Sequence, residues 1–375
     1  MFENTKKLLK ISRELGVPST DCIIFHQGKE VFRETVGTFD DTGKPITGKE
    51  RYNLYSCSKP ITCTAALQLF ENGKFSLKDE LAEYMPEFGD MKVVKNGAVV
   101  KAEKKILVEN LFEMTAGLGY DTNGEEIQAA KRDTEGKCPT RETMKYLAKR
   151  PLWFEPGESW NYSFCHDVLA AFVEVVSGKR FGLYVKENIF DPLGMKNATF
   201  LLPEGEENDI PDQYQYNDQT KSFVNSGKKI LWYKLGSEYE SGGAGGIASL
   251  EEYAKFAEGL RSGKLLSGET LDLMQTDRLN EQTRKAYWGS NGYGYGLGVR
   301  CPTAAKLRTD IGWDGAAGAF LAVDRQNGIS VCYCQHVLNT PNRNLRKDFI
   351  EAAKLDLGYP AFEEDMWQGE ASSLA

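Results

Sequence analysis

Residues 52–77, YNLYSCSKPITCTAALQLFENGKFSL, decide how the rest of the chain is read. Apolar residues recur through this stretch, Pro60 stands where a first helical turn tolerates it, and Gly73 marks an end. The pattern predicts a helix with Ser56 at its head. Ser56-Cys57-Ser58-Lys59 then sets a hydroxyl and an amine at i and i+3, on one face, with roughly 5–6 Å between their Cβ atoms. Free N–H groups and the positive dipole end at a helix head favour negative charge that develops there. An amine taken out of water gives up its proton more readily and can then accept one from a serine. The same two residues also suit a plain helix cap with a surface lysine one turn on. Ser226-Gly227-Lys228-Lys229 repeats the spacing inside the polar stretch KSFVNSGKKI, so only context favours Ser56.

On the N-terminal side, residues 2–15 carry helical periodicity, and DCIIFHQGKEVFRETVG (21–37) reads as a hairpin turning at Gln27-Gly28-Lys29. From about Lys78 to Ile247 helical patterns and loops dominate, with ILVENLFEMTAG and HDVLAAFVEVVSG closed by glycine. The glycine-rich break SGGAGGIAS (241–249) precedes LEEYAKFAEGLRSG, another helix. Strand patterns return in GYGYGLGVR, LRTDIGWDG, AAGAFLAVDRQNG and ISVCYCQHV, and NRNLRKDFIEAAKLDLG closes with a helix. Strands at both chain ends predict a mixed α/β fold of the α+β type, with an antiparallel sheet joining those ends and flanked by helices. The expected division is residues 1–77 with 248–375 as a discontinuous α/β domain, residues 78–247 as a mostly helical lobe, and an active site in the cleft between them.

Composition narrows the function. A net charge of −8 argues against a nucleic-acid partner, which needs a concentrated basic surface. Charges interrupt the N-terminal apolar residues, and no apolar run is long enough for a bilayer, so neither a signal peptide nor a membrane span is expected, and the chain is read as cytoplasmic. The eight cysteines show no C-x-x-C pair and read as buried, reduced thiols; Cys332 and Cys334 would share one face of a strand. Three histidines without paired ligand spacing give a metal site little support.

Two further stretches carry chemistry. In PLWFEPGESWNYSF (151–164), Tyr162 is a phenol that next to a lysine could relay a proton between nucleophile and leaving group, or could pack at a loop–helix junction. In Gly312-Trp313-Asp314-Gly315-Ala316-Ala317-Gly318, small residues let a backbone N–H approach a substrate carbonyl, although a bulge or sheet edge also favours glycine.

Taken in this order, these stretches resemble the class C beta-lactamase and family VIII carboxylesterase branch of the serine beta-lactamase-like, penicillin-binding superfamily. The likeness runs over nearly the whole chain, through YSCSKPITCTAALQLFENGKFSLKDELAEYMPEF, NLFEMTAGLG, PLWFEPGESWNYS, SGGAGGIASLEEYAKFAEGL and GWDGAAGAFLAVDRQNGISVCYCQH. It implies a beta-lactamase/transpeptidase-like fold with an all-helical lobe, Ser56 as acylated nucleophile, and Lys59 and Tyr162 as the acid/base pair. It also implies an oxyanion pocket from the N–H groups of Ser56 and Ala316, with no metal or cofactor. The chain departs from the pattern twice. Tyr162-Ser163-Phe164 stands for Y-x-N, which removes a side-chain amide, and Trp313-Asp314-Gly315 stands for K-T-G, which puts an acid where a carboxylate would be gripped. Trp313, Asp314, Gly315, Ala316 and Phe164 are thus candidate substrate-binding residues, and the substrate is a small ester, amide or beta-lactam, with an ester favoured.

A true beta-lactamase or a D-alanyl peptidase is the alternative within the same machinery, and two rivals lie outside it. A Ser-His-Asp hydrolase lacks a G-x-S-x-G stretch, though His166, four residues after Tyr162, could face the cleft; His26 and His336 read as strand residues. A binding protein that kept the fold and lost the chemistry is the other. Oligomeric state is not encoded in any of these features.

Overall fold

A computed structural model describes residues 1–362, except 204, 228–230, 232, 290–291 and 306–307. Seven strands form the main sheet: β1 (Ser19–His26), β2 (Lys29–Gly37), β3 (Tyr293–Tyr295), β4 (Arg300–Pro302), β5 (Ile311–Asp314), β6 (Phe320–Asp324) and β7 (Ile329–Cys334). Their order is β2-β1-β7-β6-β5-β4-β3, with every neighbouring pair antiparallel. The β1–β2 hairpin turns on Gln27 and Gly28, at φ 50° and 81°. Two positive φ values in a two-residue loop match the right-handed twist of the flanking strands. The N- and C-terminal strands meet where β1 pairs with β7, Asp21 opposite Cys334 and His26 opposite Ile329.

Side-chain alternation explains how this antiparallel sheet is buried on both faces. On one face Cys22, Ile24, Phe320, Ala322, Ile329, Val331 and Tyr333 pack with Leu8, Leu9, Phe349 and Ile350. Those helical residues come from α1 (Glu3–Glu14) and the last helix, Asp348–Asp356. On the other face Ile23, Leu321, Val323, Cys332 and Cys334 join one large apolar cluster that continues into the helical part of the chain. Cys332 and Cys334 do share a face, as apolar core side chains, and all eight cysteines are buried and unpaired.

Under the second face run α2 (Lys59–Glu71), α3 (Cys165–Ser177) and α4 (Leu250–Arg261), with α2 packed on α3 and α4 on β7. Ser249 caps α4 by accepting the Glu252 N–H at 3.2 Å, and Gly178, in left-handed backbone, ends α3. Residues 78–247 are less helical than their pattern suggests. They hold two antiparallel hairpins, Lys92–Lys95 with Ala98–Lys101 and Tyr214–Asn217 with Ser222–Asn225, and ILVENLFEMTAG is helical only over Val108–Phe112. The first hairpin turns at Asn96-Gly97 between valines, a local turn signal that outweighs the surrounding helical pattern. No helix among the described residues is long and apolar enough to cross a membrane.

Candidate active site

The head of α2 is not α-helical. Residues Tyr55–Ser58 form a 3₁₀ turn and the α-helix begins at Lys59, so Ser56 sits one tight turn ahead of the helix proper. Tyr55 holds left-handed backbone at φ 49°, a conformation that costs a non-glycine residue on the order of 1 kcal/mol. Its side chain is tied down: the hydroxyl donates to Gln213 Oε1 at 2.6 Å, and the ring meets Tyr233 edge-on at 5.1 Å. Cys57 N–H closes the turn on Leu54 O at 3.1 Å, which leaves the Ser56 N–H at its open end.

A short strand pair fixes this turn in space. Arg51–Asn53 pairs with Ile247–Ser249, and Leu54 N–H donates to Gly246 O at 2.9 Å. The pairing lays residues 242–246 alongside the turn, where bulk is excluded. A Cβ on Gly242 would stand 2.3 Å from His166 O, and one on Gly246 would stand 2.9 Å from Ser58 Oγ. The carbonyl of Gly243 thereby reaches the buried Lys59, whose Nζ donates to it at 2.6 Å and lies 3.3 Å from Ser56 Oγ. Lys59 is therefore no surface lysine, and the plain-cap reading of Ser56 falls.

Tyr162 arrives from the segment before α3. Its hydroxyl lies 2.5 Å from Ser56 Oγ, and its ring is stacked on Trp313 at 13° with the Lys59 amine 4.4 Å from its centroid. Trp313 Nε1 donates to the same phenol oxygen at 3.4 Å. One serine oxygen thus meets an amine and a phenol, and each of these has a second partner that orients it.

The fourth component comes from the end of β5. Cys57 Sγ donates to Trp313 O at 3.4 Å, and Gly315 lies so close that a Cβ there would stand 2.4 Å from Leu54 O. Ala316 follows, exposed to the cleft, and its N–H donates to no backbone carbonyl among the described residues. Gly315→Ala will force the strand end away from the serine turn, because the obstructing atom is backbone. We expect kcat to fall more than about tenfold, the scale of a loosened oxyanion donor, with Tm lowered by a few degrees; unchanged steady-state kinetics would remove this packing from the account.

Around these groups lies a cleft of about 850 Å³, a size suited to a small molecule. Tyr287, Trp288 and Trp313 form an aromatic wall, and Asp314, Arg343 and Lys347 lie on the rim. Asp314 does face the cleft, but Arg300 Nη1 stands 3.8 Å away and offsets its charge. Phe164 belongs elsewhere: it is buried, edge-on to Tyr120 at 4.8 Å, and does not line the cleft. As the residue that leads into α3, its apolar ring turns toward the core.

The histidines take no part. Burial pushes the His166 imidazole down to about 3; its Nε2 faces Phe112 O at 3.3 Å and Cys63 Sγ at 3.6 Å. His336 is likewise buried and pushed down to about 4, and His26 meets Tyr359 OH at 3.0 Å on the far end of β1. Asp167, which the motifs did not single out, lies buried beside this machinery and accepts from Ser241 Oγ at 2.6 Å and Tyr239 OH at 2.8 Å. Burial raises its carboxyl above the ordinary value, against those bonds and the nearby Lys59 charge. Ser226 directly follows the strand Ser222–Asn225, its N–H donating to Gln213 O at 2.7 Å, and Lys229 lies outside the described residues. No group of three or more His, Cys, Asp or Glu side chains suited to a metal occurs among the described residues.

A model of the beta-lactamase family matches residues 6–355. The chain belongs to that beta-lactamase family. Among family relatives, esterase EstB of Burkholderia gladioli is 28% identical over 354 residues, covering 85% of this chain and 86% of that protein. A putative D-alanyl-D-alanine carboxypeptidase of Escherichia coli K12 is 24% identical over 369 residues, 89% of this chain and 82% of its own. The fold matches simvastatin synthase (LovD) of Aspergillus terreus, in a mutant form, at a TM-score of 0.78 and 20% identity over 94% of this chain and 96% of that one. It also matches EstCE1, a hydrolase with promiscuous acyltransferase activity, at 0.74 and 21% identity over 96% and 98%. The family fold is thus that of the beta-lactamase/transpeptidase type, as the sequence motifs imply.

Proposed function

We propose that this chain is a serine acyl hydrolase whose preferred substrates are small esters, with Ser56 as nucleophile and Lys59 and Tyr162 as its proton-handling pair. The observation that carries the reading is the convergence on Ser56 Oγ of Tyr162 OH at 2.5 Å and Lys59 Nζ at 3.3 Å. In acylation, Ser56 Oγ bonds to the substrate carbonyl carbon while its proton passes to the pair. The carbonyl oxygen takes up the negative charge between the N–H groups of Ser56 and Ala316. Collapse restores the C=O, breaks the bond to the leaving oxygen and returns the proton to it. Water repeats the sequence on the Ser56 ester, releasing the acid and the free hydroxyl.

The preference for esters is supported by what surrounds the reaction. No side-chain amide stands at 164, and the K-T-G position holds an aspartate, so the groups that would grip an amide and a carboxylate are missing. A relative named as an esterase agrees with this. In the same reading, residues 1–77 with 248–375 and residues 78–247 are two lobes with the reaction between them. Ser56 and Ala316 come from the first and Tyr162 from the second.

Trp288 is the exposed part of the aromatic wall, 60% accessible, and meets Tyr162 at 5.7 Å. A substrate acyl chain can cover it, and apolar contact of this size is worth ~1.4 kcal/mol, a factor of ten. Trp288→Ala should raise KM for p-nitrophenyl hexanoate about tenfold and leave the acetate ester unaffected; equal effects on both would count against an acyl-chain wall. The function itself is tested with p-nitrophenyl esters, nitrocefin and a D-alanyl peptide, together with fluorophosphonate labelling followed by peptide mass mapping. Ester turnover with the label on Ser56 is the expected result. No turnover and no label would end the enzyme reading, and nitrocefin as the best substrate would end the ester preference.

A further inference from the structure

The turn after β5 is held by a buried side chain at the cleft wall that the reaction scheme above does not use. Gly315 N–H donates to Ala319 O at 2.7 Å, and Gly318 N–H donates back to Gly315 O at 3.0 Å, which closes the turn. A second donor reaches the same Gly315 oxygen: Arg346 Nη1, at 2.6 Å. Arg346 is 5% exposed, and its Nε donates to Arg343 O at 3.3 Å. Among the described residues it forms no ion pair, and Asp314 acts on it only through space. The short contact of this buried cation is therefore with one peptide carbonyl, in the turn that carries Ala316.

That carbonyl belongs to the peptide unit whose nitrogen is Ala316 N. The unit is planar and its C=O and N–H point in opposite directions, so whatever fixes the carbonyl fixes the direction of the N–H. A charged donor on the oxygen also draws electron density along the amide and makes the N–H a stronger donor on the far side, as in any hydrogen-bonded chain at low dielectric. We propose that Arg346 is a positioning residue of the oxyanion pocket, aiming and polarising the Ala316 N–H through the Gly315 carbonyl. The inference rests on the reading of Ser56 and Ala316 given above, and it assigns to Arg346 no contact with substrate.

A structural arginine and a positioning arginine differ in what they do to the bound acyl group. Hydrogen bonding in an oxyanion pocket lowers the C=O stretching frequency of the acyl-enzyme, so difference infrared spectra of a ¹³C=O-labelled cinnamoyl enzyme read the pocket directly. For Arg346→Met we expect kcat to fall about 10- to 100-fold, less than the loss of a whole oxyanion donor. KM should stay within about twofold, the acyl band should move to higher wavenumber, and Arg346→Lys should lie between Met and wild type because it still donates. Added guanidinium should restore part of the rate and of the band position to Arg346→Ala. A wild-type band position in Arg346→Met overturns the proposal even if activity falls, since the loss is then structural. Should Arg346→Met not fold, the Lys variant decides: a band identical to wild type with a reduced kcat overturns the proposal, and a shifted band supports it. If the wild type gives no acyl band at all, the Ser56 reading has failed and this inference fails with it, a result separable from any behaviour of the Arg346 variants.

Discussion

Ser56→Ala should remove ester turnover almost completely, on the order of 10⁶ in kcat, the scale seen when a serine enzyme loses its nucleophile. The substitution deletes one oxygen from a half-buried side chain and changes no packing. The two groups that face that oxygen keep their other partners: Lys59 still donates to Gly243 O, and Tyr162 still receives Trp313 Nε1. Stability should therefore move by no more than about 1 kcal/mol, the net worth of one hydrogen bond. Initial rates with p-nitrophenyl butyrate, run beside a thermal melt, check both halves. A variant that keeps more than about 1% of wild-type kcat with an unchanged melt would show that another group is acylated or that water is activated directly.

Lys59 carries the second large effect, and the informative replacement is arginine rather than alanine. Lys59 is fully buried at the start of α2 with its amine between the Gly243 carbonyl and Ser56 Oγ. If its task is to accept the serine proton, a residue that keeps the charge and the donors but never gives up its proton will not serve. Lys59→Arg and Lys59→Met should then both lose about 10²–10⁴ in kcat, the usual share of general acid–base catalysis. If the amine acts only as a fixed cation, Arg will retain activity and Met will not. The Met variant should also lose ~1–3 kcal/mol of stability, because Gly243 O is left buried without its donor. Rates are best compared well below both melting transitions, so that the two losses are read separately.

The parts of this molecule that depend on neighbours in sequence were readable from it. The Gln27-Gly28 hairpin, the glycine-ended helices and the S-x-x-K spacing are short-range features, and the hairpin turns where the sequence places it, with one register shift between Ile24 and Phe25. Asn96-Gly97 carries the same kind of signal, and in the folded chain it prevails over the helical pattern around it. What the chain did not disclose are contacts made across hundreds of residues. The SGGAGGIAS stretch reads as a break between helices, whereas its small residues let the Gly243 carbonyl reach Lys59. Arg346 belongs to an ordinary basic stretch before the last helix, and only the folded chain brings it to Gly315. Phe164 shows the converse: its place in the Y-x-N motif suggested substrate contact, and its apolar ring took it into the core.

The pairing of β1 with β7 reaches beyond catalysis to how the protein is made. Asp21 and Cys334 face each other across neighbouring strands although about 300 residues separate them in the chain. During synthesis the first hairpin leaves the ribosome long before its partner strand exists, with Ile23 and Ile24 still uncovered. At about 5–20 residues per second that wait lasts on the order of 15–60 seconds, an interval in which an open strand edge is a target for aggregation or for chaperones. A nascent chain that carries Ser56, Lys59 and Tyr162 but has not yet reached Cys334 is therefore without the strand that pairs with β1, and the ability to react waits for that strand.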